Sequence, residues 1–231
     1  MKREFELLPL FAKLINESYK GRRLKPNGKR IKKDTVDNYT YVYKHLCVFS
    51  SKNQFPLRIK EYDKLTKRQK EAESKYWKRF YFEFTQYLFS SGYYDNYVGS
   101  IIKIIRLFFN YLQKEKQFMT GNYHKQFYVT KEDVPIILIT YEQLQFLIFN
   151  KGFEETLPLH LRQTKDIFVF GCTVALRFSD IFNICQNDIE HLNGKHYLKN
   201  KSLKTETETK ILLPDYAIAI LLKHKFSNKT K

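Results

Sequence analysis

Apolar residues return every three or four positions through most of the first 115 residues, a spacing that predicts four helices. Leu7, Leu10, Phe11, Leu14 and Ile15 fall on one face of a first helix over 5–19. Val36, Tyr39, Val42, Tyr43, Leu46 and Phe49 mark the second, with Asp34 and Thr35 as its expected cap. Tyr76, Trp77, Phe80, Tyr81, Phe84, Tyr87 and Leu88 place a third over about 74–90. Their helical spacing favours two core-facing stripes over a platform for stacking bases. Ile101, Ile104, Ile105, Phe108, Phe109 and Leu112 form the apolar side of a fourth, starting near Asn96 and Ser100. Its polar side carries Lys103, Arg106, Lys114 and Lys116. Between the second and third helices, residues 56–70 read as a charged connection with Ile59 and Leu65 as anchors.

The pattern then breaks. Residues 126–139 read as a linker, with a strand-like Phe127-Tyr128-Val129 and a Pro135 that forbids helix. Thr140 caps a helix carrying Glu142 in its first turn, and beyond Pro158 a longer helix leads to Arg177. Ser179 and Asp180 are placed to cap a further apolar-periodic segment from Ile181. After Asn187 the period shortens, and 196–198, 202–203 and 210–213 are candidate strands around a polar turn at 205–209. Asp215 opens a last helix. The division expected is a helical domain over 1–125, the linker 126–139, and a second domain over 140–231.

Charge narrows the partners. Forty-one Lys and Arg against twenty-four Asp and Glu give a formal net charge of +17. An excess of that size repels itself unless a polyanion answers it, which favours nucleic acid or an anionic surface. The stretch 20–33 holds Lys20, Arg22, Arg23, Lys25, Lys29, Arg30, Lys32 and Lys33 and no acid, with Pro26-Asn27-Gly28 marking a turn. It reads as a phosphate-contacting loop or as a solvated flexible one, and its place just before a helix supports the first. No apolar span long enough to cross a bilayer occurs, so no membrane is expected. Cys47, Cys172 and Cys185 are odd in number and lie in apolar contexts. They read as buried free thiols of a reducing cytoplasm. Without C-x-x-C or H-x-x-x-H no metal is expected, and without a G-x-G-x-x-G or P-loop no nucleotide and no cofactor.

One arginine stands out. Arg177 directly follows an apolar run, and its guanidinium cannot shed its charge, so it must meet an anion or water. Pairing with Asp180 or snorkelling satisfies that requirement without any function. However, Thr173-Val174-Ala175-Leu176-Arg177-Phe178-Ser179-Asp180 resembles the T-G-L-R-x-S-[DE] motif of the tyrosine recombinases, the phage-integrase family. Ala175 stands where that family usually has glycine, which is read as a need for a small residue. Lys204-Thr205, followed by Ile211-Leu212-Leu213-Pro214, resembles the family's hairpin lysine and the strand after it.

The resemblance implies a mainly α fold. It has an N-terminal four-helix, SAM-like core-binding domain and then the first part of an α+β catalytic domain with a small antiparallel sheet. It implies double-stranded DNA as partner, possible pairing with other recombinase protomers, and a mobile-element integrase type. Arg177 matches the first catalytic arginine, Lys204 the general acid and Asp180 a supporting acid. Lys103 and Arg106 join the 20–33 cations as expected DNA contacts. No H-x-x-R or later tyrosine nucleophile follows, so the chain reads as truncated and inactive alone. Tyr216 comes too soon after the hairpin to match that nucleophile. Apolar residues around 181–184 and 216–222 are then expected to lack cover. Two functions fit: a recombinase subunit or fragment, or a recombinase-derived DNA-binding protein that occupies sites without cutting. A general RNA-binding protein is the third, with no RNP-like or KH-like motif behind it.

Overall fold

In the computed structural model, which describes residues 4–203 and 207–224, the chain divides into two units, Met1–Val134 and Pro135–Lys231. The first is built from helices α1 (Leu7–Tyr19), α2 (Lys33–Lys52), α3 (Lys67–Ser90) and α4 (Asp95–Lys114). Their apolar stripes meet in one aromatic-rich core in which Phe11, Phe49, Phe80, Phe84, Phe108 and Phe109 are fully buried. The third helix begins earlier than its aromatic run because Thr66 and Gln69 close a capping box ahead of it. The second starts at Lys33, so Asp34 and Thr35 lie inside it and its N-cap, Lys32, makes no side-chain cap.

The connection expected over 56–70 contains a strand. Here β2 (Arg58–Lys60) pairs antiparallel with β1 (Glu4–Glu6), matching Phe5 to Ile59. Glu73 on α3 is buried and receives Arg58 Nη1 at 2.5 Å and Lys60 Nζ at 3.2 Å, which fixes this ribbon to the helix. Phe127 is no strand residue. It sits in the helical core with its ring on Tyr81 at 5.5 Å, and the backbone after it packs along α4.

The second unit holds α5 (Tyr141–Phe149), α6 (Lys151–Thr156), α7 (Leu159–Val174), α8 (Phe178–Ile181), the strands β3 (Ile189–Leu192), β4 (Lys195–Lys201) and β5 (Glu208–Leu213), and α9 (Asp215–His224). The three strands form one antiparallel sheet in the order β3-β4-β5. Asn193 and Gly194, both at positive φ, make the two-residue turn that joins β3 to β4. Thr140 caps α5 in a box with Gln143. The fold is mainly helical with small antiparallel sheets, as the sequence implied.

Further local expectations fail in whole or in part. Ser202 and Leu203 are not a strand but the start of the connection that leaves β4. Neither Ser179 nor Asp180 caps α8, whose N-cap is Arg177 itself. Of the apolar residues expected to lack cover, Ile181 and Ile184 are instead buried against Val169, Phe170 and Leu198, whereas Phe182 and Leu222 are exposed as expected, with Phe178 exposed beside them. Cys172 is exposed on α7, while Cys47 and Cys185 are half-buried, and none of the three is in a disulfide.

Candidate functional site

The elbow between α7 and α8 places the singled-out arginine. Helix α7 ends because Ala175 turns left-handed, at φ 51°, with its N–H on the Gly171 carbonyl at 2.9 Å. A small residue is therefore not the whole requirement at this position. The turn demands a positive φ, which a Cβ disfavours and glycine accepts freely. Arg177 follows in extended backbone, and its carbonyl accepts the N–H groups of Asp180 at 2.8 Å and Ile181 at 3.0 Å. The backbone of Arg177 is thus held by α8 while its side chain stays 50% exposed.

That side chain reaches the β4–β5 connection. Arg177 Nη1 donates to Ser202 Oγ at 2.8 Å, and the Leu203 N–H donates to Asp180 Oδ1 at 3.2 Å. Asp180 is 2% exposed, and its Oδ2 lies 3.9 Å from Arg177 Nη1, beyond hydrogen-bond range. Arg177 is not locked into a buried pair with Asp180. The two share the work of holding residues 202–203. Lys204 lies outside the described residues, although it is the next residue in the chain. Beside this contact is a hollow of about 450 Å³ whose lining includes Asp180, Asn183, Lys199, Lys201 and Lys210. Hydrogen bonds from Lys199 and Lys210 hold the Glu190 carboxyl below its ordinary range. Those two lysines are therefore partly neutralised.

A second charged cluster in this unit does a different job. Asp166, buried on α7, accepts from Lys165 at 3.1 Å, Lys223 at 2.8 Å and His224 at 2.7 Å. Glu154 on α6 takes Lys165 at 2.6 Å and Lys223 at 2.7 Å. Burial alone would raise the Asp166 carboxyl, but hydrogen bonds from Lys223, His224 and Lys165 outweigh it and hold it low. The cluster ties α9 to α6 and α7. Tyr216, at the other end of α9, shares a 3.0 Å hydrogen bond with Thr173 Oγ1 and packs on Phe149.

In the helical unit the basic stretch is an ordered turn. The Gly28 N–H meets the Lys25 carbonyl at 2.9 Å, Lys25 N–H meets the Lys29 carbonyl at 2.9 Å, and Leu24 bridges to Arg30. Its root is tethered, because Arg23 Nε bonds Glu115 Oε1 at 2.8 Å. Glu17 adds to the tether, accepting from Tyr111 and Lys116, both at 2.7 Å. Lys20, Arg22, Lys25, Lys29, Arg30, Lys32 and Lys33 are exposed, whereas Arg23 is half-buried. Arg23, Lys103, Arg106 and Lys114 come together around a hollow of about 380 Å³. The structure thus brings one cation of the 20–33 stretch, Arg23, beside Lys103 and Arg106, and Glu115 already answers that one.

Sequence reasoning missed Ser202, because a serine in a polar run carries no signal of the arginine it meets. It also missed the acids Glu17 and Glu115, which decide which cations remain free for a ligand. Among the described residues no group of three or more His, Cys, Asp and Glu is arranged to hold a metal ion. No helix among them is long and apolar enough to cross a membrane.

No protein-family model matches the chain, and no curated protein matches it. Solved structures do. A lambda integrase dimer bound to a COC′ core site superposes with a TM-score of 0.61 at 16% identity, over 96% of this chain and 55% of that one. A 75–356 form of lambda integrase on the same kind of site gives 0.60 at 16%, over 97% of this chain and 70% of that one. The XerH site-specific recombinase bound to difH substrate gives 0.55 at 13%, over 97% of this chain and 71% of that one. The chain therefore has the integrase-like fold, and it spans little more than half the length of the first of these relatives.

Proposed function

We propose that this chain is a double-stranded-DNA-binding protein of the tyrosine recombinase family. In that reading the helical unit grips the duplex, and the second unit supplies part of a strand-transfer site. The observation that carries the proposal is the Arg177 elbow. A half-exposed guanidinium with a fixed backbone stands against the connection that leads into Lys204, in a chain with the integrase-like fold. Arginine presents a fork of donors that no protein environment deprotonates, which suits the charge that builds on a phosphate under attack. In the family's reaction Lys204 would give its proton to the leaving 5′-oxygen, while the phosphate passes to a nucleophilic tyrosine, as a 3′-phosphotyrosine, that is not assigned to any residue of this chain. Asp180 acts here by bracing the connection, not by touching DNA.

Tyr216 is not assigned as the nucleophile. Its hydroxyl is engaged by Thr173, and it belongs to the apolar seam between α9 and α7. The second reading, a protein that occupies DNA sites without cutting them, is favoured by the first unit alone. Its clustered Arg23, Lys103, Arg106 and Lys114 need no further chemistry to bind phosphates. Pairing with further recombinase protomers, a mobile-element origin and a cytoplasmic setting belong to the same proposal.

Duplex binding measured by fluorescence anisotropy across ~50 to ~200 mM salt tests the shared core of both readings. Affinity is expected to fall steeply, with a log–log slope of about −0.9 for each phosphate contacted. Affinity that does not change with salt would remove the proposal. Arg177→Ala is expected to lower the slope by about 1.

A further inference from the structure

We infer that Ser202 is a positioning residue that couples the Arg177 guanidinium to Ser202 and Leu203, where the chain leaves β4. Resting on the recombinase reading, this links the arginine that would clamp the phosphate to the segment that carries Lys204. Side chains in a hairpin connection are normally exposed, yet Ser202 is buried at 7% relative exposure. Its position is fixed twice over. Its N–H donates to the Thr207 carbonyl at 2.9 Å, which closes the connection, and its Oγ accepts from Arg177 Nη1 at 2.8 Å. A hydrogen bond from a charged donor is stronger than a neutral one, so this contact holds more firmly than most turn contacts. Arg177 is rigid at its backbone and half-exposed at its head. One of its five N–H groups meets Ser202, and the exposed part of the fork faces solvent, where an anion arrives. An anion seated there leaves the Nη1–Ser202 contact in place, so the Ser202 hydroxyl ties Ser202 and Leu203 to that anion, beside the Leu203 N–H bond to Asp180 Oδ1.

The test is amide hydrogen exchange at Leu203, read on the full chain, with Leu198 in the buried ladder of β4 as an internal reference. Ser202→Ala is expected to speed exchange at Leu203 about five- to tenfold and leave Leu198 unchanged. Arg177→Ala should do the same, and the double variant should go no further than either alone, the signature of one shared contact. Ser202→Thr, which keeps the hydroxyl, should restore most of the protection. Unchanged exchange in Ser202→Ala, or effects of the two substitutions that simply multiply, would overturn the link. If Ser202→Ala also speeds Leu198, the comparison passes to Arg177→Ala, whose half-exposed side chain is no core element. Protection at Leu203 that survives Arg177→Ala then counts against the link. A short duplex DNA provides the last arm. It should slow Leu203 exchange in the unsubstituted chain and not in Ser202→Ala. Salt-dependent binding with no change at Leu203 would defeat the link and leave the recombinase reading standing. Coupling between Arg177 and Ser202 without any DNA binding would support the link and defeat that reading.

Discussion

Gly99 faces the Thr130 carbonyl so closely that a Cβ on Gly99 would stand 2.0 Å from that oxygen. The missing side chain lets the backbone after Phe127 lie directly on α4. Three hydrogen bonds complete the strap: Asn96 Nδ2 to the Glu132 carbonyl and Glu132 N–H to Asn96 Oδ1, both 3.1 Å, and Thr130 Oγ1 to the Asp95 carbonyl at 2.8 Å. Neither backbone can yield without breaking these. Gly99→Ala is therefore expected to destabilise the helical unit by roughly 2 kcal/mol or more, read from urea midpoints. Asn96→Ala, which only removes bonds, should cost about 1 kcal/mol. A Gly99→Ala protein as stable as its parent would show that the strap is not seated this way.

Ala175 makes the opposite prediction. It holds a left-handed conformation at φ 51°, and its side chain is exposed, so nothing is lost by removing the methyl. Ala175→Gly should stabilise the second unit by about 1 kcal/mol, seen as a higher thermal midpoint for that unit.

His124 gives the chain a pH dependence. It is 1% exposed, stacks flat on Phe109 and meets Asn110 Oδ1 at 3.1 Å. Burial, with Lys125 and Arg106 adding repulsion, lowers its pKa from 6.5 to about 4. The folded state therefore binds fewer protons than the unfolded chain between those values, and stability falls as the solution is acidified through that window. The loss is at most about 1.4 kcal/mol for each pH unit. Urea denaturation at pH 7 and pH 4.5 should show it, and His124→Phe should flatten the difference. A flat profile in the parent chain would mean that His124 takes up its proton while folded.

The two kinds of lysine and arginine should separate in DNA binding. Lys103→Ala and Arg106→Ala remove cations from the hollow on α4, and each is expected to lower the salt slope by about 0.9 with little change in stability. Lys165 is different, since its ammonium is buried between Glu154 and Asp166. Lys165→Ala should leave the slope alone and destabilise the second unit by about 1 to 2 kcal/mol, because it removes a buried cation from Asp166 and Glu154 while Lys223 still answers both. Equal slopes for all three variants and the parent would show that the α4 surface does not meet phosphate.

The sequence by itself determined what is local. The helices of the first unit follow from apolar spacing, because a stripe every three or four residues buries on one face whatever its partner is. Thr140 announced the start of α5, since a capping box satisfies orphan N–H groups within a single turn. Arg177 was legible as an oddity, because a charge after an apolar run needs an answer wherever it lands. Asn193-Gly194 is equally local, a two-residue turn that needs positive φ at both positions. Tertiary structure decided the rest. No pattern within 56–70 says that Ile59 will pair with Phe5, since the pairing depends on closing a long loop against an entropic cost. Nor does any pattern say that Thr130 will lie on Gly99, that Glu115 will take Arg23 and leave Lys103 and Arg106 beside it, or that Ser202 will meet Arg177. A hydrogen bond between side chains 25 positions apart costs the sequence only a serine and an arginine, and neither residue reveals its partner until the fold brings them within 2.8 Å.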